Sequence, residues 1–163
     1  MKLQADLSVS SISKLREAIA NYRDSLKALA DELCRRLADI GVQAAVTSID
    51  HDESGELRSS ISYKRRGDRD YLVIADCGYA VYVEFGTGVV GAGTSYPGDK
   101  PAWAGSPGSR SSHVNPDGSW VYFDEKQARW RITSGQKPQG FMAQSAAKMR
   151  RNVLKIAKEV FSA

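Results

Sequence analysis

The chain has 163 residues, 42% of them hydrophobic and 26% charged, the make-up of one globular domain over residues 1–163 that buries a core without staples or metals. That composition excludes wholesale disorder, a collagen repeat and a coiled-coil rod. There is no run of about 18–20 apolar residues to span a membrane, and Met1-Lys2-Leu3 leads into Gln4-Ala5-Asp6 rather than an apolar leader core, so no membrane partner and no export are expected. The 23 basic and 19 acidic residues give a net charge of +4, and the excess is local: residues 141–163 hold five of the cations and one acid. Cys34 and Cys77 are too few for a disulfide framework and read as reduced thiols.

From Ser13 to Ile40, Leu15, Ile19, Tyr22, Leu26, Leu29, Leu33, Leu37 and Ile40 recur in steps of three and four, which predicts one long helix of about 42 Å. Gly41 is expected to stop it. The stripe reads equally as a helix lying across a sheet and as a seam for a partner. The period then shifts toward two through Val42, Ala44 and Val46, predicting a strand, and Asp50–Gly55 reads as a loop. Strands are expected over 57–64 and 71–75, with a charged hairpin tip at 65–70. Tyr79, Val81, Val83 and Phe85 alternate with Ala80, Tyr82 and Glu84, predicting a bent strand with an inner and an outer face.

Residues 86–119 hold eight of the 14 glycines, four of the five prolines and six serines. A long loop follows, anchored by Tyr96, Trp103 and Val114, of the kind that is functional when it occurs inside a compact domain. Its deletion over 90–117 is expected to spare folding. Trp120–Phe123 and Arg129–Thr133 predict an aromatic hairpin. Met142, Ala146, Met149, Val153, Ile156 and Val160 predict a closing amphipathic helix.

The chemistry on offer is thin. Gly86-Thr87-Gly88-Val89-Val90-Gly91 matches a dinucleotide-binding spacing, but Ala92-Gly93-Thr94-Ser95-Tyr96-Pro97 is not expected to continue as the helix that site requires. Gly93–Gly98 has the span of a phosphate loop, yet Asp99 stands where its lysine belongs. His51, His113 and the two cysteines lack metal-ligand spacing, no nucleophile elbow is present, and Asp52, Glu53, Glu56 and Glu84 read as loop or strand-end acids rather than a catalytic pair. No catalytic residue, cofactor or metal is expected.

Two segments point elsewhere: Gly55-Glu56-Leu57-Arg58-Ser59-Ser60-Ile61, and Tyr79-Ala80-Val81-Tyr82-Val83-Glu84-Phe85-Gly86-Thr87-Gly88. Together with Asn115-Pro116-Asp117-Gly118 and the entry Gln139-Gly140-Phe141-Met142 into the last helix, they resemble the bacteriophage tail-completion, or head–tail joining, proteins of long-tailed phages. In that pattern a strand ends in Glu-Phe-Gly-Thr, a variable loop follows, and a Pro-Phe-Met-like entry opens a basic helix; here the proline is displaced to Pro138.

The resemblance implies an α+β fold, a curved antiparallel sheet of about four to six strands with a long N-terminal helix and a C-terminal helix. It also implies a structural, non-enzymatic subunit of a ring, by resemblance a hexamer, at the phage neck or tail top. Such a subunit would meet head-connector, tail-terminator or tail-tube proteins. It would reside in the virion and be assembled in the host cytoplasm. Arg58, Tyr82, Glu84, Phe85, Thr87 and Trp103 are the expected subunit-contact residues. Glu84 reads either as an exposed strand-end acid or as the partner of Arg58 or Arg131 in a neighbouring copy. Lys148, Arg151, Lys155 and Lys158 are expected to face an acidic partner or passing DNA. Two other readings remain: a nucleic-acid-binding module using the basic C-terminal helix, and a toxin or small enzyme.

Overall fold

The structure, a computed structural model, describes residues 8–52, 54–101, 114–124 and 127–162. Its elements run α1 (Val9–Thr47), α2 (Glu56–Ser60), β1 (Ile61–Gly67), β2 (Asp70–Ala75), α3 (Ala80–Phe85), α4 (Gly88–Gly93), β3 (Trp120–Asp124), β4 (Arg129–Thr133) and α5 (Phe141–Phe161). The class is α+β with long N- and C-terminal helices. The strands form two separate antiparallel hairpins, β1–β2 and β3–β4, rather than the one curved sheet expected.

Helix α1 is capped by Ser8, whose side chain accepts from the Ser11 N–H at 3.2 Å. Over 39 residues it runs about 58 Å. It passes straight through Gly41 and absorbs the strand expected at 42–46. Gly41 is there because α5 crosses it: a Cβ at this position would lie 2.7 Å from Met149 Sδ and 3.2 Å from Ser145 Oγ, and Ser145 Oγ donates to the Gly41 carbonyl at 2.7 Å. The close helix–helix approach uses the missing side chain, and the helix runs on because Gln43, Ala44 and Ala45 favour it. Ser48 is the actual C-cap.

The expected strand 57–64 divides into α2 and β1. Asp52 causes the division, because its carboxylate accepts from the Gly55 N–H at 3.1 Å and the Arg58 N–H at 2.9 Å, capping α2 from outside. These bonds, the one from Arg58 foremost, hold the Asp52 carboxyl below its ordinary range. Residues 79–85 are a larger correction: they form α3, not a bent strand. Ala80, Val83 and Glu84 are the buried residues, a spacing of three and one that only a helix places on one side. The strand-like alternation of Val81, Val83 and Phe85 had concealed it.

The core gathers Ala45, Ile49, Leu57, Ile61, Ala80, Val83 and Phe141, and Phe141 is fully enclosed. It lies where the last third of α1, the β1–β2 hairpin, α3 and the start of α5 meet. Cys34 and Cys77 are free thiols, half-buried. Among the described residues no helix is long and apolar enough to cross a membrane.

Candidate assembly surfaces

The Glu84-Phe85-Gly86-Thr87 segment is the joint that ties the two ends of the fold together. Helix α5 begins after Gly140, which has no side chain to satisfy its first N–H groups. Glu84 supplies the acceptors: one oxygen takes the Met142 N–H at 2.8 Å, the other the Ala143 N–H at 3.0 Å. A carboxylate at this place also opposes the positive end of the helix dipole. Tyr96 Oη donates to the same side chain at 2.5 Å. Burial, and then the Glu84 carboxylate, push the Tyr96 phenol well above its ordinary value.

The backbone completes the clasp. Gln139 N–H donates to the Val83 carbonyl at 2.9 Å and Gly140 N–H to the Glu84 carbonyl at 3.1 Å. Thr87 and Gln136 exchange both backbone bonds, at 3.0 and 3.2 Å. Gly86 has φ +76°, and a Cβ on it would meet the Gln136 carbonyl and the Pro138 nitrogen at 2.7 Å each, so no other residue fits between the two strands of the clasp. The Glu-Phe-Gly-Thr and Gln-Gly-Phe-Met segments, which start 55 residues apart in the chain, are therefore one structure.

This geometry fixes where the expected contact residues stand. Glu84, 4% exposed, and Thr87 are buried, and Phe85 is half-buried with its ring 5.0 Å from that of Tyr96. Glu84 is therefore not an exposed acid, and its carboxylate is taken up within its own chain by Met142, Ala143 and Tyr96. Arg58 is half-buried and donates to the Ile49 carbonyl, while Arg131 pairs with Asp124 at 3.2 Å. Tyr82 is exposed at the rim of an open recess of about 300 Å³, lined with Trp120, Tyr122, Thr133 and Gln136. Trp103 lies outside the described residues, as do Glu53 and His113.

The expected loop 86–119 is structured in its first part. It contains α4, the Tyr96 contact to Glu84, and Lys100, whose ammonium donates to the carbonyls of Gly91 and Thr94. Deleting 90–117 would remove Tyr96, a brace of the α5 cap, so the structure gives this deletion a cost to stability that the sequence does not show.

Two surfaces carry exposed apolar side chains, the first of them unmarked in the sequence and the second part of the stripe that reads equally as a partner seam. The first is one face of the β3–β4 hairpin. Register pairs Val121 with Ile132 and Phe123 with Trp130, which places these four on the same side. Trp130 is 70% exposed, Ile132 72% and Phe123 47%, and the Phe123 and Trp130 rings meet edge to face at 5.3 Å. The opposite face, with Trp120 buried, turns toward the body. The second surface is the N-terminal half of α1. Residues 21–28 are exposed all round, and Ile12, Ile19, Tyr22 and Leu26 line one side of it in the open.

The basic residues of α5 form a third surface. Lys148, Arg151, Lys155 and Lys158 are all exposed and fall on one face of the helix.

Residues 1–86, from α1 through α3 to Gly86, match the HK97-gp10-like family model, described as "Bacteriophage HK97-gp10, putative tail-component". The match covers more than half of the chain. The chain belongs to this family of bacteriophage tail components. Curated proteins and solved structures yield no match. Membership gives the family resemblance its firm part: a structural component of a phage virion, in contact with other phage structural proteins. The matched region ends at the glycine of the clasp and takes in α1, α2, the first hairpin and α3; the elements from α4 onward lie beyond the match.

Proposed function

We propose that the chain is a non-enzymatic head–tail joining or tail-completion subunit, which assembles with copies of itself into a closed ring at the phage neck or tail top. The observation that carries this reading is the outward apolar face of Val121, Phe123, Trp130 and Ile132 on the second hairpin. Aromatic side chains grouped on one side of a projecting hairpin are what an interface core contains. The N-terminal half of α1 supports the same reading, because an exposed helix draws little stability from propensity alone and its apolar stripe of Ile12, Ile19, Tyr22 and Leu26 is left open by the described residues.

Two different apolar surfaces on one subunit suit a head-to-tail contact, which closes into a ring when the rotation permits. Hexameric closure follows the family resemblance. Tyr82 stands exposed in the recess on the hairpin's other side, a second place for a neighbour to contact; Glu84, Phe85 and Thr87 serve the outward face indirectly, by fixing the joint from which the hairpin projects. Head-connector, tail-terminator or tail-tube proteins are the further partners. Assembly takes place in the host cytoplasm, and the finished location is the neck of the virion.

Interrupting this gene in its phage should leave filled heads and finished tails unjoined in the lysate, with joined particles restored when the chain is supplied in trans. Normal yields of joined particles without the protein would overturn the reading.

A further inference from the structure

We infer that the outer face of α5 is a track for the phosphate backbone of duplex DNA, bound without regard to sequence. Lys148, Arg151, Lys155 and Lys158 recur in steps of three, four and three, so they share one helical face and span about 15 Å of its axis. All four are exposed. The inference is independent of self-association.

Charge placement separates this face from an ordinary solvated one. Outside residues 141–163 the chain carries 18 basic and 18 acidic residues, while 141–163 carries five and one, so the whole net charge of +4 belongs to this helix. Elsewhere many cations are matched: Arg23 and Lys27 with Asp24, Arg35 with Glu32 and Asp39, Arg65 with Asp31, Arg66 with Asp70, Arg131 with Asp124. The single acid of α5, Glu159, is turned to Arg36 of α1 at 3.8 Å. Among the described residues, none of the four cations on the track has a carboxylate partner.

At its N-terminal end the track opens into a groove of about 460 Å³ between the end of α1 and the start of α5, where Thr47, Ser48 and Gln144 stand with Lys148, Arg150 and Arg151 and no carboxylate. Hydroxyl and amide groups beside cations are the usual contacts of phosphate oxygens. An acidic protein would need an apolar anchor at the centre of its contact. Between Gln144 and Lys158 the middle of this face holds cations only, with Ala147 and the exposed Leu154 at its edge. A rigid row of charges suits a rigid row of phosphates, and duplex DNA provides one.

The test is fluorescence anisotropy of the full chain with a labelled random-sequence duplex of about 20 base pairs, titrated between about 50 and 200 mM salt. Four phosphate contacts give a slope of log affinity against log salt of about −4. K148Q/R151Q/K155Q/K158Q should lower affinity at least about tenfold and flatten that slope. K155Q alone should reduce the slope by about 1, which keeps the test decisive if the fourfold variant does not fold. K27Q, which removes a matched cation on α1, should leave both quantities unchanged. Absence of salt-dependent binding at the lowest salt, or unaltered binding by a folded fourfold variant, would overturn the inference. Capture of a poly-glutamate peptide by this face with no duplex binding would also overturn it, assigning the face to an acidic protein.

Discussion

The two hairpins have the same topology and opposite surroundings. In β1–β2, Ile61, Tyr63, Tyr71, Val73 and Ala75 share one side; Ile61 is buried and the other four half-buried, and Val73 and Ala75 pack on the core. Asp31 of α1 binds the strand ends through Tyr71 Oη and Arg65, both at 3.0 Å. In β3–β4 the apolar side faces solvent and the half-polar side faces the body. Alternation along a strand tells which residues share a face, not which face the same chain covers. The outward aromatic side is the one that the proposed contact would cover.

The comparison can be broken first at the joint that carries the second hairpin. Glu84→Ala should leave the first N–H groups of α5 and the Tyr96 hydroxyl without their acceptor, at a cost of about 2–3 kcal/mol. Chemical denaturation measures the loss, and hydrogen exchange should locate it at Met142 and Ala143. A change confined to subunit association, with monomer stability intact, would return Glu84 to a contact role.

Next comes a matched pair. Val73→Ser places a hydroxyl against the core beneath the first hairpin and should destabilise the monomer by about 1–3 kcal/mol. Ile132→Ser, on the open side of the second, should stay within about 0.5 kcal/mol in monomer melting while weakening association. Equal melting losses for both would mean that the second hairpin is covered by its own chain.

Acid titration sharpens the contrast by acting on α1, which supports only the first hairpin. Hydrogen bonds from Arg35, and then from Arg36, hold the Glu32 carboxyl at about 2, against an ordinary 4.5. The folded value is the lower one, so this contribution is in place above about 4.5 and is lost as pH falls toward 2. Glu32→Gln should flatten that part of the stability curve, followed by helical circular dichroism.

Much of this was legible in the sequence. The 3-4 spacing predicted both long helices, and the charged tip at 65–70 and the aromatic runs at 120–133 predicted both hairpins. The family resemblance marked Glu84–Thr87 and Phe141–Met142 as important segments. Their meeting was not legible, since a carboxylate capping a helix 58 residues away is a tertiary fact. Gly41 read as a helix stop because local sequence cannot show α5 crossing there. Residues 79–85 misled because their apolar spacing satisfies a two-residue period as well as the helical one. Which side of β3–β4 the body covers was not legible either, because core and contact faces are built from the same residue types.

Sedimentation velocity of the full chain over a wide concentration range, with and without Trp130→Ser/Ile132→Ser, probes the outward hairpin face most directly. The wild type should pass from monomer to a discrete, larger species of fixed size, and the double variant should remain monomeric with unchanged melting. An equal distribution of species for both proteins would contradict the assembly role given to that face.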